Sequence, residues 1–217
     1  MYCERLMSKK ILLVSGDSFT AGSAKIGQTY VWPDVLADKL DMQCVNVGRG
    51  GVGNEFIHNM MIDAMCEYEN KIGLAICFWS MFERWDFYGK TFLLYPNTFH
   101  NEPELLKKSV RYIHSFQNHC EFYKLPYLQM QAFEPTETIM KDILDTPQFD
   151  KINSKFIGWP LYQEIGGYHM SDKLDDIDPD RKTHRVGRND THPNDRGHEF
   201  IADFFYKKYK EFYKCLI

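Results

Sequence analysis

The sequence predicts a three-layer α/β/α sandwich built around a short parallel sheet. Short apolar runs of the β type alternate along the chain with longer segments whose apolar residues recur at helical spacing. Strands and helices that alternate in this way form βαβ units, in which parallel strands are covered by helices. The 217 residues fit one such domain, so residues 1–217 are predicted to form a single unit.

The first half of the chain is expected to supply three strands and two helices. The strands are predicted at residues 10–15, 43–47 and 73–79. A helix is predicted at residues 31–40, with Pro33 in its first turn, where a proline interrupts no helical hydrogen bond. Asn54 is expected to cap the next helix, because its side-chain oxygen can accept from N–H groups that have no helical partner.

The second half is predicted to begin with a helix at about residues 102–123. Its apolar face is formed by Leu106, Val110, Ile113, Phe116 and Cys120. A fourth strand is predicted at residues 126–132 and a final helix at residues 197–215. Residues 133–188 show no clear periodicity, and long segments of this kind tend to be binding loops, so we predict an irregular insertion or lid over the functional site.

Composition and charge argue against several classes of protein. The net charge is −4, with 26% charged and 44% hydrophobic residues, so we expect no surface for nucleic acid or an anionic membrane. No apolar run is long enough to span a membrane, and we expect no secretory segment before the first strand. The 6 cysteines form no Cys-x-x-Cys pair, which favours reduced thiols and a cytoplasmic location over a disulfide framework.

The tripeptide Gly16-Asp17-Ser18 directly follows the first predicted strand. Ligands of open parallel sheets bind beyond the carboxyl ends of the strands, so a serine at this position is a candidate nucleophile. The same tripeptide is also an ordinary turn, in which Asp17 or Ser18 caps the following segment. A serine hydroxyl is a weak nucleophile, so the catalytic interpretation requires a base within hydrogen-bond reach.

A candidate base lies in the loop before the last predicted helix, in the run Asn189-Asp190-Thr191-His192-Pro193-Asn194. Pro193 fixes the backbone after His192. Asp190 supplies a carboxylate that can hold the imidazole in the tautomer that a general base needs. The alternative interpretation is a helix-entry loop in which Asn194 or Asp195 serves only as the cap.

These blocks together resemble the SGNH hydrolases, also called GDSL esterases and lipases. The first block of that family is similar to residues 11–20, ILLVSGDSFT, and a Trp-Pro pair like Trp32-Pro33 is common at the following helix. The second block resembles residues 45–51, VNVGRGG, and the last block resembles residues 192–194, HPN, followed by Gly197. The blocks occur in the family's order and at matching positions relative to the strands.

The resemblance implies a flavodoxin-like fold and hydrolysis of an ester through an acyl-enzyme. It makes Ser18 the nucleophile, His192 the base, and the backbone N–H groups of Ser18 and Gly51 the donors of the oxyanion hole. It further implies esterase, lipase or carbohydrate deacetylase activity on a small-molecule or glycan ester, without a cofactor. We favour removal of O-acetyl groups from a glycan, because aromatic rings can stack on sugars. The candidate rings are those of Trp79, Trp85 and Trp159.

Two positions depart from the family's pattern. After the third strand the family usually has Gly-x-Asn-Asp, whose asparagine completes the oxyanion hole. Met81 falls nearest to that asparagine, and its thioether has no hydrogen to donate, so Ser80 or Arg84 is expected to replace it. The usual Asp-x-x-His pattern places Asn189 where the aspartate should be, but Asp190 is one residue closer to the histidine and is the expected partner. The altered third block is similar to that of SGNH-like proteins carried by bacteriophages.

The remaining polar residues of these blocks, Asp17, Asn54 and Arg84, are expected to support the site or contact the substrate. The acidic and histidine side chains near the last helix match no structural zinc pattern, so we predict no metal site. Those side chains are His184, Asp190, His192, Asp195 and His198. A binding or structural protein that has kept the fold and lost catalysis is the alternative function. Met81 and Asn189 favour that alternative, whereas an intact serine and histidine argue against it.

Overall fold

A computed structural model of the chain describes residues 9–22, 30–87, 90–93, 102–133 and 140–213. The strands in chain order are β1 (Ile11–Gly16), β2 (Gln43–Asn46), β3 (Ile72–Trp79), β4 (Arg84–Phe87), β5 (Lys90–Leu93), β6 (Tyr127–Gln131), β7 (Phe156–Ile157), β8 (Arg185–Gly187) and β9 (Asp190–Pro193). Five of these form a parallel sheet in the order β2-β1-β3-β6-β7. Counted within the sheet, this is the flavodoxin-like order 2-1-3-4-5, which confirms the predicted fold class.

Helices cover both faces of the sheet. They are α1 (Ser18–Ala21), α2 (Trp32–Leu40), α3 (Asn54–Tyr68), α4 (Glu102–Phe122), α5 (Met140–Leu144), α6 (Met170–Ile177) and α7 (Asp195–Phe212). Buried residues of α3, α4 and α5 form the core on one face, and those of α2, α6 and α7 form the core on the other. The single turn α1 follows β1 directly and carries Ser18.

The first strand shows how one sequence serves both cores. Ile11 and Leu13 point to the core under α3 and α4, whereas Leu12 and Val14 point to the core under α2 and α7. All four side chains are buried. A strand covered on both faces has no reason to alternate between apolar and polar residues, which explains the continuous apolar run in the sequence.

Two antiparallel hairpins were not predicted from the sequence. One pairs β4 with β5, and the other pairs β8 with β9. Their strands are three or four residues long and rich in polar and charged residues, so they carry neither an apolar run nor a clear period-2 pattern. Both hairpins hold predicted site residues, because β4 begins at Arg84 and β9 contains His192.

The segment at residues 133–188 has more regular structure than its sequence indicates. Its strand β7 extends the sheet beyond β6, and its helix α6 buries Met170 and Leu174 in a core. A strand of two residues is too short to produce a periodic signal, which is why the sequence indicates an irregular insertion. Residues 134–139 of the predicted lid lie outside the described residues.

The last helix begins two residues earlier than predicted. The Asn194 side chain accepts a hydrogen bond from the Gly197 N–H at 3.1 Å, which caps α7 and lets it start at Asp195. The predicted end of this helix, at residues 214 and 215, lies outside the described residues. No helix in the described part of the chain has both the length and the apolar composition needed to cross a membrane.

A buried histidine joins two helices that cover the same face of the sheet. The His198 ring on α7 is fully buried, and its Nδ1 accepts a hydrogen bond from the Trp32 backbone N–H at 3.2 Å. That N–H belongs to the first turn of α2 and has no partner within the helix. Burial lowers the pKa of His198 to about 4, so the ring is neutral at physiological pH.

We predict that His198 makes the fold less stable in mild acid. An unfolded histidine gains its proton near pH 6.5, whereas folded His198 gains it only near pH 4. Falling pH therefore favours the unfolded state between these values and costs up to about 3 kcal/mol of the free energy of unfolding. His198→Asn retains an acceptor for the Trp32 N–H but does not titrate.

The measurement is urea unfolding of both proteins from pH 7 to pH 4. The stability of the wild type should fall more steeply than that of His198→Asn across this range. Parallel curves would show that His198 is not the group responsible.

Candidate active site

The carboxyl ends of the central strands meet at one edge of the sheet. Because β1 lies between β2 and β3, the strand order reverses at this point, where open α/β sheets form a ligand crevice. Ser18 follows β1, the glycine-rich loop of residues 47–53 follows β2, and Ser80 follows β3. The structure therefore brings the three predicted blocks to the same edge.

The backbone at the end of β1 turns sharply to present Ser18. A Cβ on Gly16 would lie 2.1 Å from Thr20 Oγ1, so glycine is needed for α1 to begin this close to the strand. Asp17 caps α1 through its Oδ1, which accepts from the Phe19 N–H at 3.0 Å. Asp17 thus caps the segment that follows, as the alternative interpretation of the Gly-Asp-Ser tripeptide expected. The same turn places Ser18 at the edge of the sheet. The Ser18 N–H lies in the first turn of α1 and has no helical acceptor.

Ser18 lies within hydrogen-bond reach of His192. The His192 Nε2 is 2.9 Å from Ser18 Oγ, and the His192 Nδ1 is 2.6 Å from Asp190 Oδ1. A proton on Nδ1 shared with the carboxylate leaves Nε2 as the acceptor that faces the serine hydroxyl. The hydrogen bond from His192 lowers the pKa of the Asp190 carboxyl. The three side chains form one continuous hydrogen-bonded chain.

The short spacing between Asp190 and His192 is explained by a local turn. Asp190 Oδ1 accepts from the His192 backbone N–H at 3.1 Å as well as facing the ring nitrogen. A side-chain bond to the backbone two residues onward is a common turn of aspartate, and it brings the carboxylate alongside the imidazole. Asn189 lies in the connection between β8 and β9, is exposed, and has no hydrogen-bond partner among the described residues.

A buried charge cluster lies directly behind Ser18. Asp17 Oδ2 accepts from the Ser80 hydroxyl at 2.7 Å and from Arg84 Nη1 at 3.0 Å. Burial raises the pKa of the Asp17 carboxyl, while the Arg84 guanidinium, the Ser80 hydroxyl and the Phe19 N–H oppose that rise. Arg84 Nη1 also donates to the Val52 carbonyl at 3.1 Å, which ties the glycine-rich loop to the same cluster.

Within this cluster, the two side chains that were expected to replace the missing oxyanion donor differ in the donors they have left. The Ser80 hydroxyl has a single hydrogen, and Asp17 accepts it, so Ser80 does not point a donor at the substrate in this arrangement. Arg84 has further N–H groups on Nε and Nη2, and neither has a hydrogen-bond partner among the described residues. Met81, which follows Ser80, is half-buried.

The glycine-rich loop lies against Ser18. A Cβ on Gly50 would be 3.8 Å from Ser18 Cβ. Gly51 has a φ of +78°, in the left-handed region that favours glycine. The loop is held by hydrogen bonds from the Arg49 N–H to the Gly16 carbonyl at 3.0 Å and from the Gly48 N–H to Asn46 Oδ1 at 3.0 Å. No group among the described residues accepts a hydrogen bond from the Gly51 N–H.

Asn54 supports the turn after β3. Its amide Nδ2 donates to the Ser80 carbonyl at 3.1 Å and to Ser109 Oγ at 3.1 Å, and its Oδ1 accepts from the Ser80 N–H at 2.8 Å. The side chain is buried and pairs with both backbone groups of Ser80. Asn54 does not cap α3 with its side chain, because it is the first helical residue and Gly53 occupies the cap position.

Two of the three tryptophans predicted to contact the substrate, Trp79 and Trp159, pack in or against the interior. Trp79 is fully buried. Trp159 is half-buried and packs against Phe149 and Phe156 beside the core under α3 and α4, and its indole N–H donates to the Phe149 carbonyl at 3.2 Å. Phe19 instead contacts His192 and Phe133, at ring-centroid distances of 5.6 and 4.3 Å. The sequence analysis did not single out Phe19. Its position directly after Ser18 was the signal that could have predicted its place beside His192.

The metal-site interpretation receives no support from the arrangement of side chains. In the ranges that the structure describes, no three His, Cys, Asp or Glu side chains are placed to hold a metal ion. His198, one of the residues considered, accepts the Trp32 N–H on its Nδ1, and His192 lies between Ser18 and Asp190.

Solved structures of lipolytic proteins and esterases share this fold, although no family model and no curated protein matches the chain. A putative lipolytic protein of the G-D-S-L family from Desulfitobacterium hafniense DCB-2 is 15% identical, with a TM-score of 0.54 over 92% of this chain and 99% of that chain. The psychrotrophic esterase EstA from Pseudoalteromonas sp. is 15% identical, with a TM-score of 0.52 over 94% of this chain and 98% of that chain.

A third structure is a carbohydrate esterase family 2 enzyme with a carbohydrate-binding domain from Corynascus thermopiles. It is 12% identical, with a TM-score of 0.53, and the match covers 94% of this chain and 66% of that chain. At these identities the likeness is one of fold. The chain therefore has the SGNH hydrolase fold, in agreement with the resemblance of its sequence blocks.

Proposed function

We propose that this chain is a serine-dependent ester hydrolase that acts through an acyl-enzyme. The observation that carries the proposal is the hydrogen-bonded chain from Ser18 Oγ through His192 to Asp190, with distances of 2.9 and 2.6 Å. It lies at the edge of the sheet where α/β folds bind ligands. A serine, a base and a carboxylate that orients the base are together the parts that nucleophilic acyl transfer needs.

Ser18, His192 and Asp190 each have a defined part in the proposed reaction. His192 Nε2 takes the Ser18 proton while Oγ bonds to the ester carbonyl carbon, and the carbonyl electrons move to its oxygen. Collapse of this intermediate breaks the ester C–O bond, and His192 returns the proton to the leaving alcohol. Water, activated by His192, then releases the acid and restores Ser18. Asp190 stabilises the imidazolium that forms during formation of the acyl-enzyme and again during its hydrolysis.

The negative charge on the intermediate requires hydrogen-bond donors near Ser18. We assign the backbone N–H groups of Ser18 and Gly51 to this hole and Arg84 to the place of the missing asparagine. The assignment of Arg84 is supported by its hydrogen bond to Asp17, which anchors one nitrogen, whereas its Nε and Nη2 have no hydrogen-bond partner among the described residues. Each such donor contributes about 2.7–4 kcal/mol to stabilisation of the transition state.

Within this function we favour an O-acetyl ester on a carbohydrate as the substrate. The similar structure from Corynascus thermopiles is a carbohydrate esterase, and another from Butyrivibrio proteoclasticus is an acetyl xylan esterase. The hairpin strand β4, which begins at Arg84, presents a half-buried Trp85 and an exposed Phe87 with ring centroids 5.2 Å apart. Trp159 gives no support to this choice, because its half-buried ring packs against the core and against Phe149 and Phe156.

The alternative function is a binding protein that has the fold but little or no catalysis. Met81 at the place of the asparagine, together with a Ser80 hydroxyl that donates to Asp17, favours this alternative. Both observations concern one donor of the oxyanion hole. They do not affect the hydrogen bonds that connect Ser18, His192 and Asp190, so we rank the hydrolase first.

We predict that Ser18→Ala abolishes hydrolysis of p-nitrophenyl acetate and leaves the fold intact. The matched control is Ser115→Ala, because Ser115 Oγ also lies 3.2 Å from a histidine Nε2, that of His58, but in an exposed contact between α3 and α4. The measurement is turnover of the three proteins at equal concentration, with circular dichroism to verify folding. Activity that persists in Ser18→Ala would remove Ser18 from the mechanism.

We predict that Asp190→Asn lowers turnover by about four orders of magnitude, because an amide cannot stabilise the imidazolium and can select the wrong tautomer. Asn189→Ala should have a mild effect, since Asn189 is exposed in the adjoining turn. The two variants differ by one position in the same loop, so each controls for disturbance of that loop. The reverse ranking would make Asn189 the partner of His192.

A further inference from the structure

A fully buried arginine lies behind the loop that carries His192. Arg185 begins β8, the strand paired with β9, and its side chain is 0% exposed. Its Nη1 donates to the Thr191 carbonyl at 2.6 Å. That carbonyl belongs to the peptide bond that joins Thr191 to His192, so the guanidinium acts on the backbone immediately before the proposed base.

The other end of the same guanidinium is anchored on α6. Arg185 Nη2 donates to the Ser171 carbonyl at 3.0 Å and to Asp175 Oδ1 at 2.8 Å. Asp175 also binds Arg181, so its carboxylate is held from two sides. Removing a charge from water is costly unless it is paired and hydrogen-bonded. Both terminal nitrogens of Arg185 meet that condition, whereas its Nε is buried without a hydrogen-bond partner among the described residues. Arg185 thus connects a rigid helix to the β8–β9 hairpin.

Arg185 also faces the residue next to Ser18. Its Cζ is 6.0 Å from the centroid of the Phe19 ring, and the Phe19 ring is 5.6 Å from that of His192. The guanidinium therefore approaches His192 in two ways, through the Thr191 carbonyl and through the Phe19 ring.

We infer that Arg185 is a positioning residue, which holds the Thr191–His192 peptide so that the imidazole stays in line between Ser18 and Asp190. The inference rests on the proposed function. The peptide is held at both ends, because Arg185 binds its carbonyl and Asp190 Oδ1 binds its N–H. With both groups fixed, rotation of this peptide, which would swing the ring away from Ser18, is blocked.

An arginine suits this role and a lysine does not. The three acceptors, two backbone carbonyls and one carboxylate oxygen, lie around a planar fork with fixed N–H directions. A lysine ammonium carries the same charge as a point on a flexible stem and does not reproduce that fork. Arg185→Lys therefore retains the charge and loses the geometry.

The test compares Arg185→Lys and Arg185→Met with Arg181→Met. Arg181 binds the same carboxylate but is 39% exposed, so its loss disturbs Asp175 without removing the contact to Thr191. Turnover and KM are measured with p-nitrophenyl acetate, and thermal unfolding verifies that each protein is folded at the assay temperature. In parallel, the Nδ1 proton of His192 is observed by NMR with ¹⁵N-labelled histidine and assigned with His192→Gln.

We expect both Arg185 variants to lose about a hundredfold in kcat with little change in KM, because small misplacements of a reacting group have effects of this size. The His192 Nδ1 proton signal should broaden or vanish as the ring leaves Asp190. Arg181→Met should resemble the wild type in both measurements. If Arg185→Met does not fold, Arg185→Lys decides alone.

Folded Arg185 variants with wild-type kcat and an unchanged Nδ1 signal would overturn the inference. Equal losses in Arg181→Met would do so as well, because they would indicate a general effect of the Asp175 cluster. A wild-type protein without esterase activity is a separate result, which contradicts the proposed function. In that case the Nδ1 signal still reports whether Arg185 positions His192.

Discussion

The arrangement of this molecule depends on one hydrogen bond, between Ser18 Oγ and His192 Nε2. Its two partners are 174 residues apart in sequence, and the 2.9 Å between their atoms requires that the first strand and the last hairpin end at the same place. The parallel sheet determines where Ser18 emerges, and the β8–β9 hairpin determines where His192 emerges. The sheet and the hairpin must together fix both positions to a fraction of an ångström if His192 is to take the proton of Ser18.

Two arginines paired with carboxylates lie on the two sides of this hydrogen bond. The half-buried Arg84 pairs with the buried Asp17 beside Ser18, and the buried Arg185 pairs with Asp175 behind His192. One charge of each pair is withdrawn from water, so loss of its partner leaves a buried charge without compensation. Because such a loss is strongly destabilising, each pair holds its carboxylate and its guanidinium at a defined place beside the site.

The fold was predictable because its main signals are local. The run Ile11 to Val14 is apolar throughout, since both faces of β1 are covered, and α4 carries apolar residues at regular helical spacing. Strand β7 was not predictable, because two residues carry no period, and its place in the sheet results from pairing with β6. The β4–β5 and β8–β9 hairpins have short, polar strands whose pairing depends on the rest of the domain.

The site, too, has residues with local sequence signals and residues whose contacts depend on the rest of the fold. Ser18 and His192 were identifiable because each lies in a short block with a recognisable order of residue types. The contacts of Ser80 and Arg185 depend on which elements pack together, and nothing in their immediate sequence specifies them. For Trp159 the sequence was misleading. An aromatic residue in a segment without periodicity suggested substrate binding, whereas in the folded chain the ring packs against the core.

The most direct test of this account is covalent labelling with a fluorophosphonate, which reacts with a serine only when a base has activated it. The labelled protein is digested with trypsin, and the peptide of residues 11–25 is fragmented by tandem mass spectrometry, because it contains Ser15 and Ser23 as well as Ser18. The account predicts one adduct, on Ser18, in the wild type and none in His192→Gln. An adduct on another serine, no adduct in the wild type, or equal labelling in His192→Gln would contradict the claim that His192 activates Ser18.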